Sequence, residues 1–153
     1  MPNTYSQIYI HSVFAVKYFK SQISSNFKTD LMAVMGTNLN ETGCETLIIN
    51  GVEDHVHCLF RLLPKLAISD VIQKVKAKSS GWLNSKKLLE NRFEWQSGFG
   101  AFSISYQDVD SVYNYILNQE HHHKNISFLE EYLQLLKDHN IDFNSEYIFR
   151  DMV

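Results

Sequence analysis

The chain has 153 residues, of which 44% are hydrophobic and 20% charged, with six Gly, two Pro and two Cys. That composition suits a single globular domain over residues 1–153 and excludes disorder, collagen-like repeats and a disulfide-stapled framework. No apolar run approaches the roughly 20 residues that cross a bilayer, and the first residues lack a basic stretch leading into an apolar one. The expectation is a cytoplasmic protein with no membrane partner.

Net charge is −3, but it is unevenly spread. Residues 61–92 carry eight Lys and Arg against two acidic residues, a local charge of +6, leaving −9 for the rest. A basic block inside an acidic chain makes a local field that attracts phosphates, although a solvated lysine-rich helix face has the same signature.

In chain order, Tyr5 to Val16 reads as a strand rich in Tyr, Ile, Val and Phe. The stripe of Phe27, Leu31, Val34 and Met35 predicts a helix over Ser24 to Leu39, broken by Gly43. Thr46 to Asn50 and His55 to Leu62 read as strands, with Asn50-Gly51 as the turn signal between them. Ile68, Val71, Ile72 and Val75 predict a helix over Ser69 to Trp82, with Ser69 or Asp70 as its N-cap. Phe99 to Tyr106 reads as a fourth strand, with Phe102, Ile104 and Tyr106 on one side. A helix follows from Asp108 or Asp110 through about His121. A last helix, Phe128 to Asp138, has Leu129, Tyr132, Leu133 and Leu136 facing one way. The order β-α-β-β-α-β plus C-terminal helices predicts an α+β fold. It is the ferredoxin-like, RRM-like split βαβ, an antiparallel sheet with helices on one face plus C-terminal helices.

Three features carry chemistry. His55 and His57 flank Val56 on a strand, so alternation puts both imidazoles on one face, where two such rings hold a divalent metal. Asp54 is placed to orient one imidazole, while Cys58 falls on the opposite face and makes a poor third ligand. Tyr115 and Gln119 stand at i and i+4 on one helix face. His122 and His123 follow as further ligands, DNA contacts or plain helix-end residues. Finally, Lys74, Lys76 and Lys78, followed by Lys86, Lys87 and Arg92, form a candidate phosphate-contacting set, with Ser79, Ser80 and Asn84 as added hydrogen-bonding groups.

Together these pieces resemble the HUH-type single-tyrosine transposases of small bacterial insertion sequences, the IS-two-hundred-like family, with its relatives that act at repetitive palindromic elements. The resemblance runs from about Tyr5 to Leu136. It rests on His55-Val56-His57, on Tyr115-Ile116-Leu117-Asn118-Gln119 with His122-His123 after it, and on the stretches His11–Tyr18, Lys74–Trp82 and Trp95–Ser103. Phe19 departs from an expected arginine, and His121 from a commoner acidic residue. The resemblance implies that His55, His57 and Gln119 hold one Mg²⁺ or Mn²⁺. It also implies that Tyr115 attacks a phosphate of single-stranded DNA at hairpin-marked ends, giving a 5′-phosphotyrosine and a free 3′-OH. It implies a homodimer joined edge to edge, a basic block near the DNA and an acidic C-terminus away from it.

A tyrosine with an ordinary pKa of about 10 is a weak nucleophile, so the chemistry asks for a cation at the phosphate. Two other readings compete. One is a domesticated, non-catalytic nucleic-acid-binding module on the same fold. The other is a zinc hydrolase built on His55, His57 and one of His121, His122 or His123, for which no carboxylate base stands at a telling spacing.

Overall fold

In a computed structural model, residues 3–17, 22–144 and 148 are described. The chain runs β1 (Ile8–Ala15), α1 (Lys28–Glu41), β2 (Glu45–Gly51), β3 (His55–Leu62), α2 (Ile68–Lys86) and β4 (Gly100–Ile104). A 3₁₀ turn at Tyr106–Asp108 leads to α3 (Val109–Leu117), α4 (Gln119–His122) and α5 (Phe128–Asp138). The strands form one antiparallel sheet in the order β2-β3-β1-β4. Among the described residues no helix is long and apolar enough to cross a membrane. Tyr18 and Phe19 lie outside the described residues.

The two central strands are buried almost throughout, and apart from His11, Ser12, His55, His57 and Arg61 their residues are apolar or aromatic. Alternation gives the sheet two different faces. Ile10, Phe14, Val56, Cys58 and Phe60 point to one side, where Leu31, Met35 and Leu39 of α1 and Val71, Ile72 and Val75 of α2 close the main core. Val13, Ala15 and Phe102 point to the other, where Phe128, Tyr132 and Leu136 of α5 cover them. Each large side chain so buried contributes about 1.5–3 kcal/mol against the entropy of ordering the chain. The βαββαβ unit therefore keeps its first two helices on one face, and the C-terminal helices cover the other.

Several local expectations are corrected. Asn50 and Gly51 are not the hairpin turn but the last residues of β2; residues 52–54 make the turn, closed by Val52 N–H donating to the His55 carbonyl at 3.1 Å. β4 stops at Ile104, because Ser105 caps a tight turn in which its hydroxyl donates to Asp108 and the Asp108 N–H returns to its carbonyl. α2 starts one residue early, after Ala67, without a side-chain cap. In α5 the buried stripe is Phe128, Glu131, Tyr132 and Leu136, and Leu129 faces solvent.

Candidate active site

The face of β3 that meets the C-terminal helices carries His55 and His57, both fully buried. Val13 and Ala15 of β1 stand opposite them. Asp54 holds His55: its Oδ1 is 2.7 Å from Nδ1, and because a carboxylate only accepts, Nδ1 carries the hydrogen. His57 Nδ1 meets His11 Nε2 at 2.7 Å, and those rings stack with centroids 5.0 Å apart. Cys58 is buried on the other face, and burial pushes its thiol up to about 12.

The helix expected from Asp108 to His121 is divided at Asn118. Asn50, on the same face of β2 as its cross-strand partner His57, supplies the cause. Its Nδ2 donates to the carbonyls of Ile116 at 2.9 Å and Leu117 at 3.2 Å, taking acceptors a continuous helix would use. The break turns Gln119 fully inward and leaves Tyr115 beside it. The Tyr115 ring lies 5.8 Å from His57 and 6.2 Å from His11, centroid to centroid.

Glu131 of α5 joins these parts. Its Oε1 is 3.0 Å from His57 Nε2, 3.1 Å from His55 Nε2 and 3.0 Å from His123 Nε2. Its Oε2 accepts from the Tyr115 hydroxyl and, at 2.8 Å, from the Gln119 amide. The Gln119 Oε1 lies 3.2 Å from His55 Nε2. His122 stands further out, 3.6 Å from Oε2 and more exposed. Ser127 caps the first turn of α5 by accepting from Glu130 N–H, and Phe128 stacks on the His55 ring at 4.0 Å. The C-terminal helix therefore closes over the histidine pair.

The donor chemistry fits a cation. The four atoms offered by His55, His57, His123 and Glu131 lie within 4.8 Å of one another. His55 and His123 each spend the Nδ1 hydrogen on an oxygen, Asp54 and the Ile126 carbonyl, so a hydrogen on Nε2 gives the carboxylate a donor and its loss gives a cation a lone pair. Burial lowers His57 to about 4, so its ring is neutral at pH 7. Burial and the neighbouring His57 hold His11 well below the ordinary histidine value. For His55 the carboxylates of Asp54 and Glu131 outweigh burial and raise the pKa. Burial favours the neutral form of Glu131, but the surrounding imidazoles win and hold its carboxyl far below the usual range. Burial and Glu131 together push the Tyr115 hydroxyl up.

The basic helix does not join this cluster. α2 packs on the opposite face of the sheet. Lys76 is half-buried, its ammonium donating to the carbonyls of Gln96 at 2.8 Å and of Gly98. Lys78 pairs with Glu41 at 3.0 Å. Lys74, Lys86, Lys87 and Arg92 are exposed. Lys76 and Arg92 border an open cavity of about 600 Å³ between α2 and residues 92–99.

Residues 4–119 match the family described as Transposase IS200 like. The chain belongs to this transposase family. No curated protein matches it. Two solved structures share its fold. A candidate transposase from Deinococcus radiodurans R1 is 18% identical, with a TM-score of 0.61 over 78% of this chain and 95% of that one. A REP-associated tyrosine transposase bound to a REP hairpin is 16% identical, with a TM-score of 0.60 over 82% of this chain and 74% of that one. The match to the transposase family ends at Gln119, so His123 and Glu131 lie beyond it. Sequence reading singled out Tyr115, His55, His57 and Gln119, and the fold brings all four together. It missed His11 and Glu131, and left His123 as one of three equivalent histidines. The only signal for Glu131 was its place beside Tyr132 on the stripe of α5 that faces the sheet.

Proposed function

We propose that this transposase-family chain cleaves and rejoins single-stranded DNA at hairpin-marked ends through a 5′-phosphotyrosine on Tyr115. The observation that carries the reading is the meeting of the Tyr115 hydroxyl and the His55–His57 pair on one buried carboxylate. His55, His57 and Gln119 would hold a divalent cation, Mg²⁺ or Mn²⁺. Such an ion neutralises a scissile phosphate and aligns it for attack.

The side chains supply the rest. Tyr115 Oη, oriented by Glu131 Oε2, attacks phosphorus and loses its hydrogen to solvent as the P–O3′ bond breaks. The leaving 3′-oxygen takes a proton from solvent. Attack by a 3′-OH on the phosphotyrosine reverses the step and reseals DNA without an external energy source. His11 and Asp54 fix the two imidazoles so that little reorganisation is needed. Lys74, Lys76, Lys78, Lys86, Lys87 and Arg92 are the residues that meet DNA phosphates, with Lys76 acting mainly by holding the 96–98 segment. A cytoplasmic homodimer joined through the open sheet edges β2 and β4 is the assembly we favour, with size-exclusion chromatography and light scattering as its check. The chain already offers Tyr115 to its own histidine pair, so a monomer would also have a complete site.

The test uses end-labelled single-stranded DNA carrying the hairpins that flank the gene. Wild type with Mg²⁺ or Mn²⁺ is expected to give a shifted band on a denaturing gel, lost with chelator, with Tyr115→Phe and with His57→Ala. An adduct that survives Tyr115→Phe would sink the nucleophile assignment. Tight hairpin binding without any adduct would favour the non-catalytic DNA-binding module.

A further inference from the structure

His123 and Glu131 lie beyond the segment that matches the family, yet their donor atoms close the same cluster as His55 and His57. Each has a rigid mount. His123 Nδ1 gives its hydrogen to the Ile126 carbonyl at 2.7 Å, which leaves Nε2, 3.0 Å from Glu131 Oε1, as the atom offered to a cation. Glu131 sits in the first turn of a capped helix, and Gln119 holds its Oε2 at 2.8 Å so that Oε1 faces the three imidazoles. The Nε2 atoms of His55, His57 and His123 converge on one carboxylate oxygen at 3.0–3.1 Å, and His55 and His123 already give their Nδ1 hydrogens to other oxygens. His55, His57 and Glu131 are buried, so a cation held by these converging atoms would be shielded from water.

We infer that His123 and Glu131 are ligands of the metal centre alongside His55 and His57, and that the site takes a transition-metal dication such as Zn²⁺ in preference to Mg²⁺. The inference rests on the metal-site reading above and extends it. Three imidazoles and one carboxylate are the donors that zinc and its neighbours favour, whereas Mg²⁺ prefers oxygen ligands and keeps its waters. Gln119 then acts as a positioning residue for the carboxylate as well as a neighbour of the ion. The Tyr115 hydroxyl stays on Oε2, the oxygen turned away from the imidazoles.

The experiment is calorimetric titration of the metal-stripped full chain with Zn²⁺, Mn²⁺ and Mg²⁺ separately, together with the visible spectrum of the Co²⁺-loaded protein. Wild type is expected to bind one Zn²⁺ more tightly than Mg²⁺. Glu131→Gln and His123→Ala are each expected to weaken Zn²⁺ by at least about 10-fold and to alter the Co²⁺ spectrum. Circular dichroism of the metal-free variants reports their folding. If His123→Ala unfolds, the near-isosteric Glu131→Gln decides, and a wild-type Co²⁺ spectrum there overturns the inference. Wild-type Zn²⁺ affinity in both variants, with affinity lost in His57→Ala, overturns the two added ligands and leaves the metal site standing. Equal affinity for Mg²⁺ and Zn²⁺ overturns the preference. No metal bound by wild type overturns this inference and the metal-site reading together.

Discussion

Tyr115 donates its hydroxyl hydrogen bond to Glu131, a residue sixteen positions further along and on a different helix. The other oxygen of that carboxylate faces His55, His57 and His123. One anion therefore links a nucleophile-type hydroxyl to a metal-type imidazole cluster. Burial and Glu131 both raise the Tyr115 pKa, which holds the phenol protonated in this arrangement. Tyrosine and histidines alone would be a loose constellation; the C-terminal helix makes them a single network.

Asn50 is the residue that sets the Tyr115–Gln119 geometry from the sheet side. Its amide serves two carbonyls at the break between α3 and α4. Asn50→Ala is expected to cost about 1–2 kcal/mol in urea unfolding, since both carbonyls lose their partner. Adduct formation should fall further than stability does, because the break that turns Gln119 inward is no longer pinned. A midpoint equal to wild type would show that water replaces the amide at no cost.

Two glycines make a matched comparison. A Cβ at Gly51 would strike the His55 carbonyl and the Val56 backbone, which cannot move without opening the hairpin. A Cβ at Gly100 would meet Tyr132 side-chain atoms at 2.9 Å, and a side chain yields more readily than backbone. Gly51→Ala is therefore expected to destabilise by about 3 kcal/mol and Gly100→Ala by about 1 kcal/mol. The check is a pair of denaturant melts, with the order of the two midpoints as the deciding result.

These contrasts also mark what local pattern could and could not tell. His55 and His57 were readable because strand alternation is a two-residue rule that needs no partner. The bounds of α5, Phe128 and Asp138, were readable, but its buried stripe was not, because Glu131 takes an inward place and Leu129 faces solvent. The antiparallel sheet followed from the succession of elements. The division of the helix after Leu117 was not readable, because its cause, Asn50, is 66 residues away from Ile116. Glu131 looked like any charged residue on a C-terminal helix, and only docking of α5 over β3 makes it central. His11 carried no local sign either: a histidine in a strand is ordinary until His57 is found beside it.

Lys76 gives a pH dependence with a definite sign. Burial lowers its pKa from 10.5 to about 8. Between those values the unfolded chain holds a proton that the folded chain has released, so stability rises as pH increases through that window. Below about pH 8 both states are charged and the folded state bears the full cost of burying the ammonium. Lys76→Met removes the titration. The stability of wild type relative to this variant is expected to climb as pH is raised from 8 to 10.5, and a flat difference would place the Lys76 pKa at its ordinary value.

Metal addition should be visible in thermal stability before any DNA is present. An ion that binds only the folded chain adds about 2.7 kcal/mol at 100 times its Kd. For a domain of this size that amounts to roughly 5–11 °C in Tm. Zn²⁺ or Mn²⁺ is expected to raise the wild-type midpoint in a concentration-dependent way, and chelator should return it. His57→Ala should melt at one temperature with or without the ion, because it removes a fully buried donor from the centre of the cluster. Asp54→Asn should show a smaller ion-dependent rise than wild type: it keeps all four donors but loses the carboxylate that fixes the His55 ring. A wild-type midpoint that ignores the metal would mean that Glu131 is neutralised by protonated histidines instead. In that case the His57→Ala variant would lose stability with no metal present.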